Sequence, residues 1–325
     1  MATLKDIAQR AGVTATTVSR VINNRGYISE GTRKKVYAAM EEMHYQPNEL
    51  ARAFSKQYTN TIGLIVPHIS HPFFIKVISN LESSAAEKGF KLLLCNSKEQ
   101  PEKEQDYLDM CISNRVAGIV LCSKYVQTRE FRKMNIPVVN LERGGDDDTI
   151  SVQCDNYQGG KLAAEHLIEC GCKNLLHFGG VAGKDMPADR RADGFLRVCR
   201  ERGIEGEVLL SDRLSYGSMH YESYIEKGLL EHPETDGIFA SSDLIAAQVL
   251  QRLYAMGKRV PEDIKVVGFD DTVIAGITTP SITTIHQPIE EMSELSIAYI
   301  DRRRKGEMVP NVTTMPVSLV VRDSA

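Results

Sequence analysis

Thr14, Ala15, Thr16, Thr17, Ser19 and Arg20 fall within one short segment, and their chemistry is that of a surface that reads a polyanion. Short hydroxyls can bond phosphate oxygens or base edges, and the methyls of Ala15 and Thr16 suit the thymine methyl. Arg20 can grip guanine O6 and N7 bidentately, a pairing that discriminates between bases by about 1–3 kcal/mol. One such surface cannot single out a site in a genome, so a dimer on a palindromic target is implied.

Residues with catalytic or metal-binding potential are sparse. GGVAGKD (179–185) has the look of a phosphate loop, but the pattern needs Gly at 178, where Phe178 stands, and Asp185 replaces the magnesium-binding hydroxyl. His68 and His71 are three apart, but Pro72 follows directly and breaks the helix that a metal-binding pair would need. No G-x-S-x-G, HExxH or GxGxxG occurs. The acidic run Asp146–Asp148 reads as a solvated loop, and Cys170 and Cys172 flank a single glycine, which matches no common zinc spacing. The expectation is therefore a protein with no catalytic residue, no metal and no cofactor, whose seven cysteines are reduced and mostly buried.

The charge is asymmetric. Residues 1–60 hold nine Lys+Arg against five Asp+Glu, a local +4, whereas the rest holds 30 against 38, a local -8. A basic N-terminal end on an acidic body suits nucleic-acid binding by that end. No stretch approaches the roughly 20 apolar residues of a membrane helix, and the first residues lack a secretory apolar region. A cytoplasmic protein is expected.

These side chains need elements to hold them. Leu4, Ile7, Ala8 and Ala11 make the apolar stripe of a first helix that Gly12 ends. Thr14 can cap a second helix, with Val18, Val21 and Ile22 on its inner face. Ser29 can cap a third, with Val36, Ala39, Met40 and Met43 inward and Pro47 at its end. Helix, tight turn and short helix make a helix-turn-helix, whose second helix presents its N-terminal residues to the major groove. The segments LKDIAQRAGVTATTVSRVINN and TRKKVYAAMEEMHYQPNELARAF closely resemble the N-terminus of LacI/GalR-family repressors. The resemblance implies that Ala15 and Thr16 read the operator, that Arg20 contacts guanine, and that Thr3, Leu4, Thr14, Thr17, Ser19, Asn23, Ser29 and Thr32 complete the DNA-facing set. It also implies a hinge helix near Asn48, Leu50, Ala51 and Phe54, ordered with its dimer mate in the minor groove, with Phe54 at a wedge position that is usually Leu.

From Thr61 onward, apolar runs at 62–66, 91–95, 117–121, 136–141, 174–179, 236–241 and 263–270 alternate with amphipathic helical segments. Such alternation means parallel sheets, and the number of units requires two sub-domains. HISHPFF, DNYQGGKLAAEHL, RRADGF, SSDLIAAQVL and VPEDIKVVGFDD extend the resemblance across the core. The expected fold is an all-α headpiece (1–46), a hinge and linker (47–60), and a two-lobed, doubly wound α/β core like a periplasmic binding protein (61–325). Its N-lobe would take 61–154 and 287–310, and its C-lobe 155–286 and 311–325, with crossings near 153–157, 283–287 and 309–314. Ligands of such folds lie in the cleft at the carboxyl ends of the strands. The resemblance implies a cleft lined by His68, Ser70, Phe73, Phe74, Glu142, Arg191, Ser242 and Asp270. The family more often has Asp at 68 and 142.

The resemblance implies a homodimeric repressor of a carbohydrate operon, released from a pseudo-palindromic operator when a sugar enters the cleft. Ending at VVRDSA, the chain has no heptad-bearing tail of the tetrameric type. Control by a purine corepressor or by a protein partner on the core is the alternative, and a free sugar-binding protein would need neither headpiece nor hinge.

Overall fold

The computed structural model describes residues 2–23, 25–45, 58–123, 136–145, 149–181 and 186–325. They form two compact units, Met1–Thr59 and Asn60–Ala325.

The first unit is built on local capping chemistry. Helix α1 (Leu4–Ala11) opens on a reciprocal box, in which the Asp6 amide donates to Thr3 Oγ1 and the Thr3 amide donates to Asp6 Oδ2 at 2.8 Å. It closes at Gly12, whose φ of +65° is one that side-chain-bearing residues avoid. Thr14 caps α2 (Ala15–Ile22) and Ser29 caps α3 (Glu30–Glu42). Ile7, Ala8, Val18, Val21, Val36 and Ala39 form the small buried core between them. Helix α3 ends at Glu42, well before Pro47, because the Tyr45 amide folds back onto the Met40 carbonyl at 2.8 Å with His44 at positive φ. That loop-back is a helix-ending motif the proline expectation overlooked.

The second unit contains two six-stranded sheets. The first uses β1 (Thr61–Val66), β2 (Lys91–Asn96), β3 (Gly118–Leu121), β4 (Val138–Leu141), β5 (Ile150–Cys154) and β11 (Val312–Met315), in the order β11-β5-β4-β3-β1-β2. The second uses β6 (Asn174–Val181), β7 (Glu205–Ser211), β8 (Gly237–Ala240), β9 (Lys265–Asp270), β10 (Thr283–His286) and β12 (Ser318–Val320), in the order β12-β10-β9-β8-β6-β7. All pairings are parallel except β10 with β12. Central strands β3, β4 and β8 are buried on both faces, as a parallel sheet covered by helices requires.

The chain leaves the first lobe at Asp155, between β5 and α6 (Asn156–Glu169), and returns through Gln287 between β10 and α12 (Ile289–Arg304). Helix α12 packs on α4 (Pro72–Glu87) and β4, in the first lobe. The third crossing falls later than expected. Strand β11 pairs with β5, so 312–315 belong to the N-lobe and only the segment after Pro316 joins the C-lobe. Pro316 lacks the amide that would continue the β11 ladder, and the break there is what the expected 309–314 boundary missed.

Two glycines bring the second lobe's helices together. A Cβ on Gly160 of α6 would stand 1.9 Å from the Arg191 carbonyl oxygen, and one on Gly194 of α7 (Arg190–Arg202) 2.0 Å from that of Tyr157. Only glycine permits this reciprocal contact, and it fixes the start of α7, which carries Arg191.

Candidate functional site

In the headpiece, Thr14, Thr16 and Arg20 are exposed on α2, and Thr17 and Ser19 are half-buried. The Arg20 guanidinium makes no hydrogen bond among the described residues. Ala15, expected among the operator-reading side chains, is half-buried against the headpiece core, as is Leu4. The hydroxyls have duties in the fold as well. Thr14 Oγ1 accepts from the Thr17 amide at 3.1 Å, Ser29 Oγ from the Thr32 amide at 3.4 Å, and Asn23 Nδ2 donates to the Ser19 carbonyl at 2.9 Å. Thr3 is exposed at the N-cap of α1. Asn48, Leu50, Ala51 and Phe54 lie outside the described residues.

The core holds a cavity of about 300 Å³ between the carboxyl ends of its two sheets. Phe73, Phe74, Glu142, Arg191, Ser242 and Asp270, all expected there, reach its wall. His68 and Ser70 do not. Strand β1 ends at Val66 and α4 starts at Pro72, so both sit in the intervening loop, with Ser70 exposed and His68 buried edge-on to Tyr216 at 5.7 Å. His71 lines the cavity instead. As N-cap of α4 it accepts from the Phe73 amide through Nδ1 at 3.2 Å, and burial beside His68 and Arg191 lowers its pKa to about 4, so it is neutral at pH 7. Phe73 and Phe74 stand edge to face at 5.1 Å, and Tyr216, Tyr221, Ile245 and Met186 extend the apolar wall. Such faces suit the C–H side of a sugar ring or a flat base.

The polar wall is one connected network. Glu142, directly after β4, accepts from the Cys154 amide and from Asn156 Nδ2 at 3.0 Å. Asn156 accepts in turn from Arg191 Nε at 2.7 Å. Arg191 also donates through Nη1 to the Ser241 carbonyl, lies over the Phe269 ring at 3.5 Å, and faces Asp270 at 4.0 Å. Gln287 Nε2 donates to Asp270 Oδ1 at 2.6 Å. Burial raises the pKa of Glu142 and of Asp270, while the Arg191 guanidinium opposes that shift in both. Behind the wall, fully buried Asp243 accepts from the Thr272 amide at 2.6 Å and from Thr284 Oγ1 at 2.6 Å, tying α10 (Asp243–Ala255) to the ends of β9 and β10. The network thus runs from the first lobe through the first two crossings, at Asn156 and Gln287, into the second.

His71, Asn156, Ser241, Tyr221 and Gln287 were not among the expected residues. For Asn156 and Gln287 a signal existed, since each is an amide side chain directly at a lobe crossing. Tyr221 comes from the segment between α8 (Arg213–Ser218) and α9 (Glu222–Glu231), which no local pattern connects to the cleft. Among the described residues, no cluster of His, Cys, Asp or Glu is placed to hold a metal. Six of the seven cysteines are buried and Cys170 is half-buried.

A helix-turn-helix headpiece followed by a two-lobed core with a polar, aromatic cleft defines a ligand-responsive DNA-binding regulator. Residues 3–48 match the model of bacterial regulatory proteins of the lacI family, and residues 164–325 match the periplasmic binding protein-like domain. The chain is 35% identical over 328 residues to the ribose operon repressor of Halalkalibacterium halodurans, covering 100% of this chain and 97% of the relative. It is 36% identical over 320 residues to the sucrose operon repressor of Pediococcus pentosaceus, covering 98% and 97%. A solved periplasmic binding protein/LacI transcriptional regulator from Alkaliphilus metalliredigens, complexed with D-xylulofuranose, superposes with a TM-score of 0.74 at 34% identity, covering 82% of this chain and 99% of that one. The chain belongs to the LacI family of bacterial transcriptional regulators.

Proposed function

We propose that this protein represses a carbohydrate-utilisation operon and leaves its operator when a sugar fills the inter-lobe cleft. The observation that carries the reading is the cavity itself, with aromatic faces on one side and a carboxylate–guanidinium–amide network on the other. Relatives named for ribose and sucrose operons, and a similar structure holding D-xylulofuranose, support it. The working form is a cytoplasmic homodimer that holds two headpieces (1–46) over a pseudo-palindrome through hinges (47–60) that carry Asn48, Leu50, Ala51 and Phe54. Ligand in the cleft changes the lobe arrangement and releases those hinges. Swinging the operator from mostly occupied to mostly free needs about 5.5 kcal/mol of differential affinity, shared by two clefts.

The test is a thermal-melt screen of sugars, nucleosides and purine bases, followed by operator binding with and without each hit. A sugar at 100 times its Kd should stabilise the protein by about 2.7 kcal/mol, several degrees in Tm, and should weaken operator binding. Arg191→Ala should abolish both effects. A purine that tightens operator binding would replace the reading with corepression.

A further inference from the structure

We propose, building on the sugar-responsive reading, that the cleft selects an uncharged polyhydroxylated ligand over the phosphate ester of the same sugar. Two buried groups on the inner wall still seek a partner among the described residues, an amide oxygen that can only accept and a hydroxyl that can accept or donate. Gln287 Oε1 is completely buried and has no hydrogen-bond partner among the described residues, and the buried Ser123 hydroxyl, also on the wall, is in the same position. Each Glu142 oxygen receives one donor, from the Cys154 amide and Asn156, and can take another, and Asp270 receives Gln287 on one oxygen. An unmet buried acceptor is costly, and a ligand rich in O–H groups removes that cost.

A phosphate monoester supplies only acceptors and close to two negative charges at neutral pH. Arg191 is the buried cation of the described wall, and it is committed on three sides: Nε to Asn156, Nη1 to the Ser241 carbonyl, and its flat face to Phe269. Asp270 faces it at 4.0 Å and Glu142 interacts with it electrostatically, so an arriving anion meets a cation already opposed by acidic groups of the wall. The other described cation on the wall, Arg213, is exposed. A volume of about 300 Å³ sits at the lower end of ligand pockets and suits one or two sugar rings.

The experiment is calorimetric titration of the full-length protein at neutral pH with ribose, fructose, glucose and sucrose, each beside its monophosphate. At least one free sugar should bind, with its ester at least about tenfold weaker, or 1.4 kcal/mol. In Glu142→Gln that ratio should shrink severalfold, because one of the two carboxylates opposing the ester is gone. An ester that binds as tightly as its parent sugar, or a ratio unchanged in Glu142→Gln, overturns the selection while leaving a sugar-responsive repressor in place. Binding of nothing in the panel overturns the sugar reading as well.

Discussion

Replacing Gly160 with alanine tests whether the start of α7 must be held where it is for the cleft to work. The new Cβ would lie 1.9 Å from the Arg191 carbonyl oxygen, where a carbon–oxygen contact needs about 3.3 Å. The obstacle is backbone, so the α7 start must retreat by roughly 1.4 Å, the difference between those distances. Arg191 reaches Asn156 at 2.7 Å, and a shift of that size breaks the bond or forces the guanidinium off Phe269. Overpacking costs about 1–3 kcal/mol of stability, and binding groups tolerate only about 0.5 Å of misplacement. Urea unfolding should show that loss, and titration with the sugar that binds the native protein should show Kd raised by roughly ten- to a hundredfold, in line with one charge-assisted hydrogen bond of about 1.5–3 kcal/mol. Gly276→Ala is the control: its added Cβ meets nothing within 4 Å and its φ is not positive, so stability should stay within about 0.5 kcal/mol. Native stability and native affinity in Gly160→Ala would refute the claim that this helix contact positions Arg191.

Two further outcomes follow from the same structure. His177 is buried, stacked on Phe239 at 4.4 Å and bonded through Nδ1 to the Phe239 carbonyl oxygen, and burial lowers its pKa to about 4. The folded protein keeps this ring neutral while the unfolded chain protonates it below about 6.5, so stability is lost as pH falls from 6.5 to 4. The span of the shift corresponds to about 3 kcal/mol, so the stability advantage of the native protein over His177→Gln, by urea unfolding, should shrink by that amount between pH 7 and pH 4. A difference that stays constant within about 1 kcal/mol would mean that His177 takes up a proton as readily in the fold as in the unfolded chain. In the headpiece, Thr14→Ala removes the acceptor of the Thr17 amide and should cost about 1 kcal/mol, seen as roughly fivefold faster amide exchange at Thr17 without DNA. Unchanged exchange would leave Thr14 with no part in capping α2.

The headpiece was legible because its instructions are local. Thr3, Thr14 and Ser29 each act on an amide three residues ahead, and Gly12 acts on its own turn. The core was legible where strands are buried on both faces, as at 118–121 and 237–240, since an unbroken apolar run survives without its context. Edge strands β11 and β12 are short and half-exposed, so their pairing is a tertiary fact, and the crossing between them was misplaced for that reason. The cleft shows a deeper limit. Strand β4 occupies in the first sheet the place that β9 occupies in the second, beside β5 and β10 respectively. Glu142 directly follows β4 and Asp270 ends β9, and both have positive φ, at 52° and 107°. The two carboxylates are thus counterparts in a duplicated topology, turned toward one cavity from opposite lobes. No repeat in the residues announces this, because the duplication is carried by strand order rather than by side chains. What the sequence shows as two isolated acidic residues 128 positions apart (270 − 142) becomes, through that order, a pair that share interactions with Arg191. At a cost of about 1–3 kcal/mol each, the same backbone strain is held at two matched positions, and both put a carboxylate on the cavity wall.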